Sequence, residues 1–136
     1  MYVVDVKVSQ SPIDGNGVFT ENDIPKGKIV WLFQQDHDQR LTDTEFQRLT
    51  ANDKEHLSHT AYFSPWSNLW VFPPKDDPAE YTNHLDTHNL SVLFDENVSP
   101  EPYFIASRNI TAGEELTNNY HEFDEITRKT KPDWAK

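Results

Sequence analysis

No run of aliphatic and aromatic residues in this chain is longer than five. The longest is Ile29-Val30-Trp31-Leu32-Phe33, and the others are cut short by polar residues, proline or glycine. A run this short cannot cross a bilayer, which takes about 20 apolar residues as a helix. Nor does it suit long buried helices. It suits many brief strands joined by tight turns. With 136 residues the chain fits one domain. Mean hydropathy is low at −0.79, which raises disorder, but 8 Phe, 5 Tyr and 4 Trp supply the apolar mass of a small core.

Along the chain, residues 2–9 alternate, with Tyr2, Val4, Val6 and Val8 on one face. This pattern predicts a strand with one buried side. Turn chemistry follows in Ser11-Pro-Ile-Asp-Gly-Asn-Gly17, then strands at 18–20 and 28–34 separated by Ile24-Pro-Lys-Gly27. A helical insertion is expected at about 42–62. Thr42-Asp-Thr-Glu45 has capping-box spacing, and Asn52-Asp-Lys-Glu opens a second helical segment. Strands are expected again at 69–72, 90–94, 103–107 and 115–118, all separated by Pro, Asn, Asp or Gly.

Composition removes several functions. Zero cysteine excludes disulfides, thiolate zinc sites and a cysteine nucleophile. The net charge of −11 argues against nucleic acid as a partner, because phosphate is bound by basic faces. The acid is concentrated. Residues 76–107 hold seven Asp and Glu and no Lys or Arg; residues 112–125 hold five and none. Such stretches favour a cationic partner. His56 and His59, and His84 and His88, have spacings that could ligate a metal. We read them as surface and backbone-held residues and expect no metal site. The start of the chain carries charges where a signal peptide is apolar, so a cytoplasmic protein with no membrane attachment is expected.

The order of the motifs is more specific than any one of them. Ser11-Pro-Ile-Asp-Gly-Asn-Gly-Val-Phe is followed by Ile24-Pro-Lys-Gly, Tyr81-Thr-Asn-His, Asn89 and finally Ala112-Gly-Glu-Glu-Leu-Thr-Asn-Asn-Tyr120. The series, over about residues 3–125, resembles the SET-domain protein lysine methyltransferases, in particular small stand-alone microbial and viral members. The resemblance implies a mainly β fold of several small curved sheets, with the short helical insertion and a knot-like C-terminal segment. It implies one catalytic domain over 1–125 and a tail, 126–136, able to cover the site. The implied activity is methyl transfer from S-adenosyl-L-methionine to the side-chain amine of lysine in a basic protein or peptide. By position, Tyr120 is the implied catalytic residue. Asn16, Gly17, Asn83, His84 and Tyr120 are the implied cofactor contacts.

A channel for the lysine calls for aromatic walls, which exclude water and hold a cation by cation–π contact. Tyr62, Trp70, Tyr103 and Phe104 are the candidates, with Trp66 beside them. Phe123 and Trp134 are the aromatic candidates for covering the adenine. The chain departs from the family at Leu85 and His88, where Ser and Pro are usual, and at Asn118 and Asn119 before the tyrosine. These departures motivate an alternative: a catalytically degenerate SET-like module that binds cofactor or basic peptides without turnover. Either a monomer or a homodimer is compatible with the sequence.

Overall fold

The computed structural model describes residues 1–124. It contains ten short strands and two short helices: β1 (Val6–Gln10), β2 (Asn16–Thr20), β3 (Ile29–Trp31), β4 (Gln39–Leu41), α1 (Asp43–Gln47), α2 (Ala51–Thr60), β5 (Tyr62–Phe63), β6 (Trp70–Phe72), β7 (Asn83–His84), β8 (Leu90–Leu93), β9 (Tyr103–Ala106) and β10 (Glu115–Asn118). Single 3₁₀ turns lie at Pro78–Tyr81 and Tyr120–Glu122. The strands form three small sheets, ordered β1-β2-β10-β7, β3-β9-β8 and β4-β6-β5. Among the described residues no strand exceeds five residues, as the interrupted apolar runs require.

The helical insertion begins where its capping chemistry lies. Thr42 Oγ1 accepts from the Glu45 N–H, and the Glu45 carboxylate accepts from the Thr42 N–H, so two orphan amides are satisfied reciprocally. Thr50, one residue before Ala51, caps α2 by accepting from the Asp53 N–H. β4, β5 and β7 have no sequence signature, being two or three residues long and defined by their partners alone. The alternation predicted for residues 2–9 holds through Val6 but fails at Val8, which is exposed. β1 is an edge strand, and its far end runs past the core.

Two apolar clusters result. The larger joins Val18, Ile24, Val30, Trp31, Leu90, Phe104, Ile110, Leu116 and Phe123 between the first two sheets. The smaller packs Phe46 and Leu57 of the helices on Trp70 and Phe72 of β6. β10 is the keystone. It pairs antiparallel with β2 and parallel with β7, matching Thr117 to Asn83 and Asn118 to His84. Asn89, nearly fully buried, acts there as a piece of false strand. Its Nδ2 donates to the Glu115 carbonyl (2.8 Å) and its Oδ1 accepts from the Thr117 N–H (2.9 Å). A buried amide that satisfies two backbone groups in this way locks the end of the chain to the core. Among the described residues, no helix is long and apolar enough to cross a membrane.

Candidate active site

The β1–β2 turn is the first wall of the site. Gly15 sits at φ +46°, the left-handed region, and nothing would meet a Cβ there. At Gly17 a Cβ would overlap the Glu115 carboxylate. A larger residue there would have to push aside the carboxylate that Ser11 and Asn83 hold. Glu115 is the anchor of this wall. Its carboxylate accepts from Ser11 Oγ (2.7 and 2.9 Å) and from Asn83 Nδ2 (2.9 Å). Asn83 Nδ2 also lies 3.2 Å from Ser11 Oγ and from the carbonyls of Asp14 and Asn16. The amide nitrogen is thus spent on holding the turn. The side-chain carbonyl oxygen is what Asn83 has left for a ligand, its backbone being paired with β10.

Tyr120 follows β10 and is fixed at both ends. Its N–H donates to His84 Nδ1 (3.1 Å), and its hydroxyl donates to the Thr82 carbonyl (2.9 Å). The first bond requires a neutral His84 with its proton on Nε2. Burial lowers the His84 pKa below its usual value, outweighing the opposing pull of Asp86. The second bond uses the phenolic proton and fixes the direction of the hydroxyl. Burial, with the Asp124 carboxylate adding to it, pushes the Tyr120 pKa up to about 12. Tyr120 is therefore a protonated hydroxyl at neutral pH rather than a phenolate.

Two cavities meet at Tyr120 and Thr82, which line both. One is a broad cleft of about 700 Å³ bounded by Ile13–Asn16, His59, Glu80, Tyr81, Asn83 and His84. That volume lies within the ~300–1,000 Å³ of small-ligand sites. The other is a cavity of about 60 Å³ walled by Tyr2, Trp31, Tyr62, Leu90, Phe104 and Phe123. Phe123 organises its aromatic wall, meeting Tyr62, Phe104 and Tyr120 edge-on with centroids 5.1, 5.0 and 5.3 Å away. Tyr2 reaches the same point from the other end of the chain, its hydroxyl 2.6 Å from Thr82 Oγ1. Three buried polar atoms on this cavity, Thr60 Oγ1, Tyr62 Oη and Asn118 Oδ1, have no hydrogen-bond partner among the described residues.

The chain matches the family model for the SET domain over residues 15–121. The chain belongs to the SET-domain family. Solved SET-like structures agree in fold. One is the crystal structure of a Plasmodium falciparum protein described as a candidate histone methyltransferase, with TM-score 0.57 and 20% identity, covering 84% of this chain and 90% of that one. Another is a humanized mutant of the Chaetomium thermophilum Polycomb Repressive Complex 2 bound to the inhibitor GSK126, with TM-score 0.64 and 25% identity. It covers 92% of this chain and 16% of that one. No curated protein matches the chain in sequence.

In this SET domain the residues expected at the site fall into three groups. Asn16, Asn83, His84 and Tyr120 converge on the broad cleft, and Gly17 stands behind it against Glu115. Tyr62 and Phe104 line the aromatic cavity, and so does Phe123, which lies on that side of Tyr120 rather than on the cleft wall. Trp70 and Tyr103 line neither. Trp70 is stacked on Phe46 at 4.0 Å in the smaller core and donates its Nε1–H to Asp43. Tyr103 is buried in β9 opposite Leu93. Trp66 is exposed and stacked on Phe94. Trp134 and the 126–136 tail lie outside the described residues.

Sequence reasoning missed Tyr2, Thr82 and Trp31 on the aromatic side, and Ser11 and Glu115 behind the cleft. Ser11, Thr82 and Glu115 had a signal, their places in the motif series; Tyr2 and Trp31 had none. The departing residues are built in. The Leu85 N–H donates to the Asn118 carbonyl, Asn119 caps the last turn through the His121 N–H, and His88 Nε2 lies 3.0 Å from Glu122. Among the described residues, no group of three or more His, Asp or Glu could hold a metal ion.

Proposed function

We propose that this SET domain is an S-adenosylmethionine-dependent lysine N-methyltransferase acting on a basic protein or peptide. The observation that carries the reading is the meeting of a small-ligand cleft and an aromatic cavity at one oriented tyrosine hydroxyl. The cleft residues fit the cofactor. The turn at Gly15 offers bare backbone, Asn83 has a carbonyl oxygen to offer an ammonium, and the volume suits a nucleoside-sized ligand. When bound, the cofactor supplies an electrophilic methyl on a cationic sulfur.

The chain's own residues supply the rest. A free lysine at pH 7 is neutral about once in ~2,500, from its reference pKa of ~10.4. The rings of Tyr62, Phe104 and Phe123 exclude water around the amine and so favour its neutral form. Tyr120 Oη accepts an N–H of that amine, which aims the nitrogen lone pair towards the cleft. Positioning and desolvation then carry the acceleration, with no strong base. The acidic stretches around the two motifs support a basic substrate.

The test is labelled S-adenosylmethionine with basic proteins, read for methyl-lysine, together with cofactor calorimetry. Tyr120→Phe should bind cofactor as the parent does and lose roughly 100-fold or more in turnover, the scale of one oriented hydrogen bond in a transition state. Transfer undiminished in that variant would remove Tyr120 from the chemistry. Cofactor binding with no transfer by the parent would select a non-catalytic binding module.

A further inference from the structure

Trp66 and Phe94 are large rings left on the surface, 37% and 38% exposed. They come from segments far apart in sequence, yet they stack on one another, centroids 5.6 Å apart and planes 19° from parallel. Both mounts are stiff. In the Trp66 loop, Ser64 Oγ accepts from the N–H groups of Trp66 and Ser67, and the Asn68 N–H returns to the Ser64 carbonyl. In the Phe94 loop, the Asp95 carbonyl accepts from Val98 and Ser99, and its carboxylate from Asn97. Exposed rings held this way lose little entropy on binding. Asp95 and Glu96 are exposed beside Phe94, and no Lys or Arg occurs between Lys75 and Arg108.

We propose that this aromatic pair and its carboxylates form a docking site for an arginine of the substrate, outside the lysine channel. A flat guanidinium stacks on an aromatic face and accepts bidentate pairing with carboxylates, and the patch offers both. β8 ties the site to the channel: Leu90 lines the channel cavity, and Phe94 lies four residues on, one past the strand's end. Along that strand four residues span roughly 13 Å, at about 3.3 Å per residue. An extended peptide with its lysine in the channel therefore presents to the patch a residue about four positions from that lysine. This inference rests on the proposed function for its lysine; the patch itself does not.

The test uses the full chain and three peptides carrying one lysine: arginine four residues before it, arginine four residues after it, and glutamine at both places. Affinity is read by calorimetry and by Trp fluorescence, and methylation by kcat and KM. One arginine peptide should bind about five to ten times more tightly than the glutamine peptide, the scale of a cation–aromatic contact strengthened by carboxylates. That advantage should disappear in Trp66→Ala and shrink in the doubly neutralised Asp95→Asn, Glu96→Gln chain. The difference should appear in KM and leave kcat unchanged. Equal binding of all three peptides overturns the site, as does an arginine advantage that survives Trp66→Ala. So does a parent dimer that Trp66→Ala converts to monomer, which would make a second copy the occupant. If the arginine advantage is present but no lysine is methylated, the docking site stands and the proposed function falls.

Discussion

The two sides of Tyr120 are built by different means. The cleft side is made of backbone and hydrogen bonds: one glycine-bearing turn, one Asn-His pair and one carboxylate that ties them together. The aromatic side is made of packing, from Tyr2, Trp31, Tyr62, Leu90, Phe104 and Phe123 on separate stretches of chain. A wall made of a left-handed glycine and directed hydrogen bonds admits few residue types at each position, so it shows as a motif. A wall made of rings needs only apolar volume of the right shape, which many sequences supply.

The difference can be broken open by mutation. The largest effect is expected on the aromatic side. Phe123→Ala removes the ring on which Tyr62, Phe104 and Tyr120 meet. It should cost about 3–5 kcal/mol in urea unfolding and raise KM for peptide more than the Kd of the cofactor. A larger loss on the cofactor side would show that the two walls are one unit.

Glu115→Ala is the counterpart on the cleft side. It strips the anchor from Ser11 and Asn83. Hydrogen bonds to a charged group contribute ~1.5–3 kcal/mol, so cofactor affinity by calorimetry should fall roughly 10- to 100-fold. Turnover at saturating cofactor should persist. Unchanged affinity would mean that the turn holds its shape without the carboxylate.

A smaller effect is expected from pH. His84 must be neutral to accept the Tyr120 N–H, and its pKa is held below the ordinary 6.5 by burial. The unfolded chain thus takes up this proton more readily than the folded one. The contribution of His84 to stability is fully present above pH 6.5 and is lost as pH falls through the lower folded value. Unfolding midpoints and cofactor affinity should decline together over that interval. His84→Asn, which cannot titrate, should flatten both. Tyr120 contributes no titration near neutrality, its pKa lying at about 12.

The smallest effect belongs to Tyr62→Phe. The Tyr62 hydroxyl is buried on the aromatic cavity without a partner among the described residues. Its removal should leave stability within about 0.5 kcal/mol of the parent, or raise it, because a buried unpaired polar group is itself a cost. A loss well above 1 kcal/mol would show an ordered water on that oxygen in the folded protein.

Much of this was legible beforehand. The strands at 18–20, 69–72, 90–94, 103–107 and 115–118 match observed elements to within two residues, because each is a short β-forming run closed by turn residues. The capping box at Thr42 opened α1 in place. Val8 misled, since alternation reports which residues share a face but not where the core beneath that face ends. Trp70 and Tyr103 look like channel residues in a list of aromatics. Trp70 is claimed by Phe46 across the helical insertion, and Tyr103 by β9, contacts that no local pattern announces. Phe123 is the converse, an aromatic near the end of the motif whose side of Tyr120 depended on where Tyr62 and Phe104 stood.

By itself, then, the sequence determined the glycine turn, a local demand of backbone geometry, and the family, whose motif series singled out the Asn-His pair and Tyr120. Tertiary structure alone decided which rings wall the cavity, that Tyr2 arrives there from the other end of the chain, and that Glu115 stands behind both Ser11 and Asn83. It also brought Trp66 to Phe94. These are contacts between segments distant in sequence, and packing energy depends on shape and volume, which the order of residues along a chain does not display.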